Sequence, residues 1–232
     1  RGVALDLKQD EGKKLFAELV KSADVLIENN RPGVMKRLGF GWEECKALNP
    51  RLIYASISGF GQTGPNSYKP GYDLIAQAMG GSMSITGWPG MEPTRAGMAI
   101  GDLFAGLNVG VAVCASLYER EKTGLGNHID VALVDSIVSG MEAKLMQYVY
   151  TGESPVMTGN KYISSAPYDS FKAKDAWFVI ASGTDKHFEV LSAAMGMPEL
   201  ARDPLYCDTE LRKKNADALK SVIENWAADK TV

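Results

Sequence analysis

Short apolar runs alternate with amphipathic helical stretches through the first half of the chain, and this alternation constrains the fold most. Val25-Leu26-Ile27 reads as a buried strand, left by the turn Asn29-Asn30-Arg31-Pro32-Gly33. Trp42 to Leu48 reads as a helix that stops at Asn49-Pro50, because a residue before proline avoids helical backbone. Leu52 to Ile57 is a second strand, ending in the loop Ser58-Gly59-Phe60-Gly61-Gln62-Thr63-Gly64-Pro65, and Ile129 to Ala132 is a third. Strands joined through helices need crossover connections, which makes the sheet parallel. Such sheets bind ligands beyond the carboxyl ends of their strands, where the 29–33 and 58–65 loops lie.

Around this frame, residues 3–7 alternate enough to predict a further strand. Asp10-Glu11-Gly12 opens a helix with Leu15, Phe16, Leu19 and Val20 on one face. A short helix is expected from Asp73 to Met79, followed by the bend Gly80-Gly81-Ser82. A long helix follows Asp102, runs to Glu121 and stops at Thr123-Gly124; Gly106 and Gly110 share one of its faces and would permit close backbone approach. Another helix spans Val134 to Tyr150. Periodicity is lost over 153–167, which contains Pro155, Gly159 and Pro167. The expected organisation is a large α/β domain over 1–152, a linker over 153–167 and a smaller α+β domain over 168–232. The latter opens with a hairpin, Tyr168–Phe171 and Trp177–Ala181 across Lys174-Asp175, and continues with helices near 185–195 and 209–228.

Composition excludes several classes. With 25 basic and 28 acidic residues, the net charge of -3 argues against a nucleic-acid partner. Cys45, Cys114 and Cys207 have no metal-ligand spacing and read as thiols of a reducing, cytoplasmic compartment. The apolar run Leu103 to Tyr118 contains Asn108 and falls short of the roughly 20 residues of a membrane span, so no membrane partner is expected. No GxxxxGK[ST] points to ATP, and no GxGxxG follows the first strand to hold a dinucleotide. No metal and no tightly bound cofactor are expected. Both ends are abrupt, as in an internal stretch of a longer chain.

Asp102 carries the most chemical interest. It stands in Ile100-Gly101-Asp102-Leu103-Phe104-Ala105-Gly106, where a glycine-containing approach meets the long helix. Two readings stay open: a helix N-cap, for which Asp is preferred, and a nucleophile, since carboxylates form covalent acyl intermediates. Lys8, Arg31 and Arg37 flank the strand ends, and arginine forks suit phosphate oxygens; a solvated face is the plainer alternative. Tyr72, between Gly71 and a helix-capping Asp73, could line a site or pack in the core. His128 and His187 belong to no recognisable catalytic motif and read as structural.

Taken together, several segments resemble the family III CoA-transferases, the CaiB/BaiF family. They are LDLK at 5–8, ADVLIENNRPGVMKRLG at 23–39, NPRLIYASISGFGQTGP at 49–65, GYDLIAQAMGG at 71–81 and GDLFAGLNVGVAVCASLYEREKTGLGNHIDVALVDS at 101–136. PELARDP at 198–204 and the RKKNADAL helix resemble the family's small domain. The resemblance implies a Rossmann-like large domain, a smaller α+β domain and an interlocked homodimer of longer chains. It implies an enzyme that moves CoA from an acyl-CoA to a carboxylic acid, with coenzyme A and its thioesters as substrates. Asp102 falls on the catalytic aspartate, which would pass through an aspartyl anhydride and an aspartyl-CoA thioester. Leu5, Lys8, Asn29, Asn30, Arg31, Arg37 and Tyr72 fall on CoA-contacting positions, and Lys69 lies near another.

Two departures bear on specificity. The glycine run of the formyl-CoA transferases is replaced by Gly159-Asn160-Lys161-Tyr162-Ile163-Ser164-Ser165-Ala166-Pro167, which points away from formyl or oxalate substrates. The racemase branch carries histidine where this chain has Tyr72, which argues against a 2-methylacyl-CoA racemase. That isomerase and a non-catalytic CoA-binding module remain the rival readings.

Overall fold

The computed structural model describes residues 2–232, which divide into two compact units. The first comprises residues up to Thr86 together with Pro93–Pro155; the second comprises Gly87–Glu92 and Val156–Val232. The helices of the first unit are α1 (Asp10–Ser22), α2 (Val34–Leu38), α3 (Trp42–Leu48), α4 (Asp73–Met79), α5 (Ser82–Ile85), α6 (Ile100–Thr123), α7 (Leu133–Gly140) and α8 (Glu142–Thr151). Its strands β1 (Val25–Glu28), β2 (Ile53–Ser58) and β3 (His128–Ala132) form a parallel sheet in the order β1-β2-β3. Val25 pairs with Ile53 and Tyr54 with His128; β2 and β3 end level at Ser58 and Ala132, and β1 ends at the same edge with Glu28 beside Ser56.

β2 is central, and this is legible in its composition: Ile53, Tyr54 and Ala55 are all buried. One face of the sheet packs Leu26, Leu52 and Tyr54 against Val20, Met35, Phe40 and Cys45. The other packs Ile53, Ala55 and Ile129 against Val109 of α6, with Ala112, Val113 and Leu117 alongside. Each large aliphatic side chain so buried contributes about 1.5–3 kcal/mol. α6 is closed by Gly124, whose φ of +73° suits glycine after a helix, and Gly124 donates to the Arg120 carbonyl. The buried Arg120 guanidinium reaches the Asp24 carboxylate (2.8 Å) and the Asp24 and Arg51 carbonyls, pinning the end of α6 to the start of the sheet.

Several sequence expectations need correction. Residues 3–7 form no strand; they run into a turn in which Asp6 accepts from the Lys8 and Gln9 amides and leads into α1. On α1 the inward face is Phe16, Ala17 and Val20, while Leu15 and Leu19 are exposed. The helix expected over 134–150 is two helices. A Cβ on Gly140 would approach the Phe104 ring to 2.5 Å, so α7 lies tightly on α6, and the chain then turns through Glu142 at φ +39°. α6 is longer than its apolar run and does reach membrane-spanning length and hydropathy. Its inner face packs on the sheet, whereas Leu107 and Val111 on the outer face are 67% and 72% exposed. Gly106 and Gly110 meet no close neighbour either.

In the second unit, β4 (Tyr168–Lys172) and β5 (Trp177–Ala181) form an antiparallel hairpin, followed by α9 (Asp185–Ala194), α10 (Thr209–Lys214) and α11 (Ala216–Ala227). A 3-10 turn spans Pro198–Arg202. The predicted helix over 209–228 is broken at Asn215, whose side chain donates to the Leu205 and Leu211 carbonyls. Phe171, Phe188, Met195, Tyr206, Leu219 and Ile223 make its core.

Candidate active site

The carboxyl ends of the three strands open onto a cleft of about 450 Å³. Two close backbone contacts shape it. A Cβ on Gly59 would come within 2.6 Å of the Gly71 Cα, and one on Gly71 within 2.8 Å of the Gly59 Cα. The chain after β2 and the chain before α4 therefore touch directly, which only glycine permits. The Gly59 carbonyl also accepts from the Val134 amide at the start of α7. This crossing carries Lys69, Pro70 and Tyr72 to the mouth of the cleft.

Opposite them, the turn after β1 contributes Asn29, Asn30 and Arg31. The Asn29 amide donates to the Ile57 carbonyl at 2.8 Å and the Asn30 amide N–H to the buried Glu28 carboxylate at 2.7 Å, which fixes the turn. Arg31 and Lys69 form no ion pair among the described residues. Two cations without an ion-pair partner among the described residues, Lys69 resting over the Tyr68 ring, favour an anionic ligand beside this cleft.

Asp102 lines the same cleft, on the first turn of α6. The N-cap is Ala99, not Asp102, and it offers no side-chain bond. The helix start is capped from another helix instead: Asp73 Oδ1 accepts from the Gly101 amide at 2.8 Å. The Asp102 carboxyl is pushed up from its ordinary 3.8 by partial burial and, second, by the negative charge of Asp73. The first-turn amides, candidates for stabilising an oxyanion, are largely committed: Ile100 donates to Met98, Gly101 to Asp73 and Leu103 to Ala99.

The structure thus brings together five of the eight residues singled out: Asn29, Asn30, Arg31, Tyr72 and Asp102. Leu5, Lys8 and Arg37 lie outside the lining of the cleft. Arg37 sits exposed in the last turn of α2, and Lys8 is exposed ahead of α1. His128 stacks on Trp42 and lies 3.0 Å from the Ser56 hydroxyl, and burial pushes its pKa down. The His187 amide bonds the Thr184 cap of α9. Among the described residues no group of three metal-ligating side chains occurs. Sequence reasoning passed over Gln77 and took Asp73 only as the cap of its own helix. The signal was a glutamine in the otherwise apolar stretch Leu74 to Met79.

Fold and cleft together define an α/β protein with an open, partly cationic site at the carboxyl edge of a parallel sheet. The chain belongs to CoA-transferase family III, whose family model matches residues 1–232. It is 47% identical to the acetyl-CoA:oxalate CoA-transferase of Acetobacter aceti, over 96% of this chain and 57% of that relative. It is 43% identical to the succinyl-CoA:mesaconate CoA-transferase of Haloarcula hispanica, over 98% of this chain and 58% of that one. A solved structure of a CAIB/BAIF family protein from Brucella suis superposes with a TM-score of 0.88 at 39% identity, covering all of this chain and 61% of that one. The chain thus spans well under two thirds of these relatives.

Proposed function

We propose that this chain carries the catalytic aspartate and part of the CoA site of a transferase that moves CoA from an acyl-CoA to a carboxylic acid. The observation that supports this most is the placement of Asp102: a carboxylate with a raised proton affinity, open to a cleft shared with Arg31 and Lys69. A more basic carboxylate is a stronger nucleophile towards a thioester carbonyl.

The steps balance without an external energy source. An Asp102 oxygen attacks the donor thioester carbon; the C–S bond breaks, CoA thiolate leaves, and a mixed anhydride remains. The thiolate attacks the Asp102 carbonyl carbon and expels the donor acid as its carboxylate, leaving an Asp102–CoA thioester. The acceptor carboxylate attacks that carbonyl and releases thiolate again. The thiolate then takes the acceptor's acyl carbon, giving the new acyl-CoA and restoring Asp102. One thioester is exchanged for another, so no nucleotide triphosphate is consumed. Water must be kept from the anhydride. Arg31 and Lys69 suit the phosphates of CoA, and Asn29, Asn30 and Tyr72 suit the pantetheine and acyl portions.

The homodimer belongs to the same proposal. The outer face of α6, with Leu103, Leu107 and Val111 uncovered, is apolar surface that a second copy would bury; sedimentation of the full-length protein tests it. The racemase reading gains nothing, because Tyr72 stands where that branch carries histidine. The deciding experiment is mass spectrometry of the full-length protein after incubation with acyl-CoA. A CoA or acyl adduct on the Asp102 peptide is expected, together with complete loss of transfer in Asp102→Ala. Near-normal transfer by Asp102→Ala would end the proposal.

A further inference from the structure

Behind Asp102 lies a buried polar clamp. Gln77 of α4 is fully buried. Its Nε2 donates to Asp73 Oδ2 at 2.7 Å and to the Met98 carbonyl at 3.3 Å, and its Oε1 accepts from the Ala96 amide at 2.8 Å. Asp73 in turn holds the Gly101 amide. One glutamine and one aspartate therefore tie down the segment 96–101 that delivers Asp102 to the cleft. The neighbouring core, Ala76, Ala105, Leu133 and Ile137, is apolar. A leucine or methionine at 77 would suit that core, whereas a buried amide is costly unless satisfied. There is no slack: a Cβ on Gly101 would meet Asp73 Oδ1 at 3.1 Å and the Ala76 Cβ at 3.3 Å.

We propose that Gln77 and Asp73 are positioning residues for Asp102: Gln77 aims the Asp73 carboxylate and fixes the 96–101 approach, while Asp73 caps α6 and sets the charge beside the nucleophile. This rests on Asp102 being the acyl carrier. The raised proton affinity of Asp102 agrees with it: burial is its main cause, and the charge of Asp73 is the second. The other groups facing the cleft are Arg31, Lys69 and Tyr72. Asp135 of α7 lines a separate groove with Val138 and Leu145, and the charged residues of α6 beyond Asp102 lie in its last turns.

The test uses the full-length protein with Gln77→Met, Asp73→Asn and Asp102→Asn assayed side by side. Gln77→Met should lower kcat on the order of 100-fold with KM for acyl-CoA little changed, because the group that moves is the nucleophile and not the CoA contacts. Asp73→Asn keeps an oxygen for the Gly101 amide, replaces the oxygen that accepts from Gln77 Nε2 with an amide donor, and removes the charge. Ionised Asp102 is then favoured, and the acidic limb of kcat/KM should move to lower pH. A purely structural role would lower the folded fraction and leave that limb in place. Folded Gln77→Met with kcat within about twofold of the parent would overturn the clamp. So would an unmoved limb in Asp73→Asn, which decides the matter should Gln77→Met not fold. If Asp102→Asn is inactive while the other two behave as the parent, the clamp alone fails. If Asp102→Asn transfers normally, the acyl-carrier reading fails and the clamp with it.

Discussion

Each unit buries a strong polar group, and the two are finished in opposite ways. In the second unit, Arg212 is 1% exposed and every arm is used. Its Nε donates to the Ala166 carbonyl, one terminal nitrogen to the Tyr206 carbonyl, and the other to Asp185 and Thr209, with the guanidinium over the Phe188 ring. In the first unit, Gln77 and Asp73 are likewise satisfied, but the chain they serve ends in a carboxylate turned to an open cleft beside a like charge. A closed network holds a fold together. A network that stops one group short of closure, at a cleft, leaves a group available for chemistry.

The sharpest way to break this contrast is Asp102→Asn. Transfer should fall by on the order of 1,000-fold or more in a CoA-exchange assay. Stability should move the other way. The folded pKa of Asp102 lies above its ordinary 3.8, so its contribution favours folding only at low pH and is lost as pH rises through the folded value. The asparagine variant should therefore melt slightly higher than the parent at pH 7, with the difference vanishing below about pH 4, as calorimetry would read. A clear drop in melting temperature at pH 7 would make Asp102 a structural residue.

Arg212→Met is the counterpart. It leaves two buried carbonyls without their donor and should cost on the order of 3 kcal/mol, read from the urea midpoint. Asp185 carries the opposite pH sign from Asp102: the Arg212 hydrogen bond holds its carboxyl below 3.8. That stabilisation is present above the ordinary carboxylate range and is lost as pH falls through the lowered value. Asp185→Asn should therefore lose stability at neutral pH and converge with the parent in acid. If Arg212→Met melted as the parent does, the closed network would be ornament.

These two centres were not equally legible in the sequence. Asp102, Arg31 and Tyr72 stand in contiguous motifs at strand ends, where loop position alone suggests a site. The parallel sheet followed from the spacing of β1, α3 and β2. Arg212 lies in Leu211-Arg212-Lys213-Lys214, which reads as a solvated charged face; only the fold shows that one of the three cations turns inward. Gln77 was hidden for the converse reason, since α4 looks like an ordinary apolar helix and its amide finds partners some 20 residues away in an irregular segment. The break between α7 and α8 was invisible because it depends on Gly140 meeting Phe104, a tertiary contact with no local signature. Periodicity reports which face is buried and is silent about which buried polar groups are matched.

An intermediate effect is expected at the rim of the cleft. Arg31→Ala removes a cation that makes no ion pair among the described residues, so the fold should be unaffected. A lost charge-assisted contact to CoA should raise KM for acyl-CoA about tenfold while leaving kcat nearly unchanged. An equal fall in kcat with constant KM would instead place Arg31 beside the reacting atoms and widen the chemical centre beyond Asp102.

The smallest effect is expected one residue from one of the largest. Lys186 follows Asp185 on α9, and each makes an ion pair of good geometry: Lys186 with Glu189 at 2.8 Å, Asp185 with Arg212 at 2.6 Å. Distance does not separate them; the partner's surroundings do. Lys186 and Glu189 are 78% and 54% exposed, so water and salt screen the pair and two long side chains must be held in one geometry. Asp185 is also largely exposed, but together with Thr209 it satisfies the outer arm of a cation that is otherwise sealed in the core. Lys186→Ala should therefore leave the urea midpoint where it is, at low and at high salt. Asp185→Asn, at the adjacent position, should shift it measurably. Equal shifts for the two would mean that surface charge on α9, and not the satisfaction of buried Arg212, is what Asp185 provides.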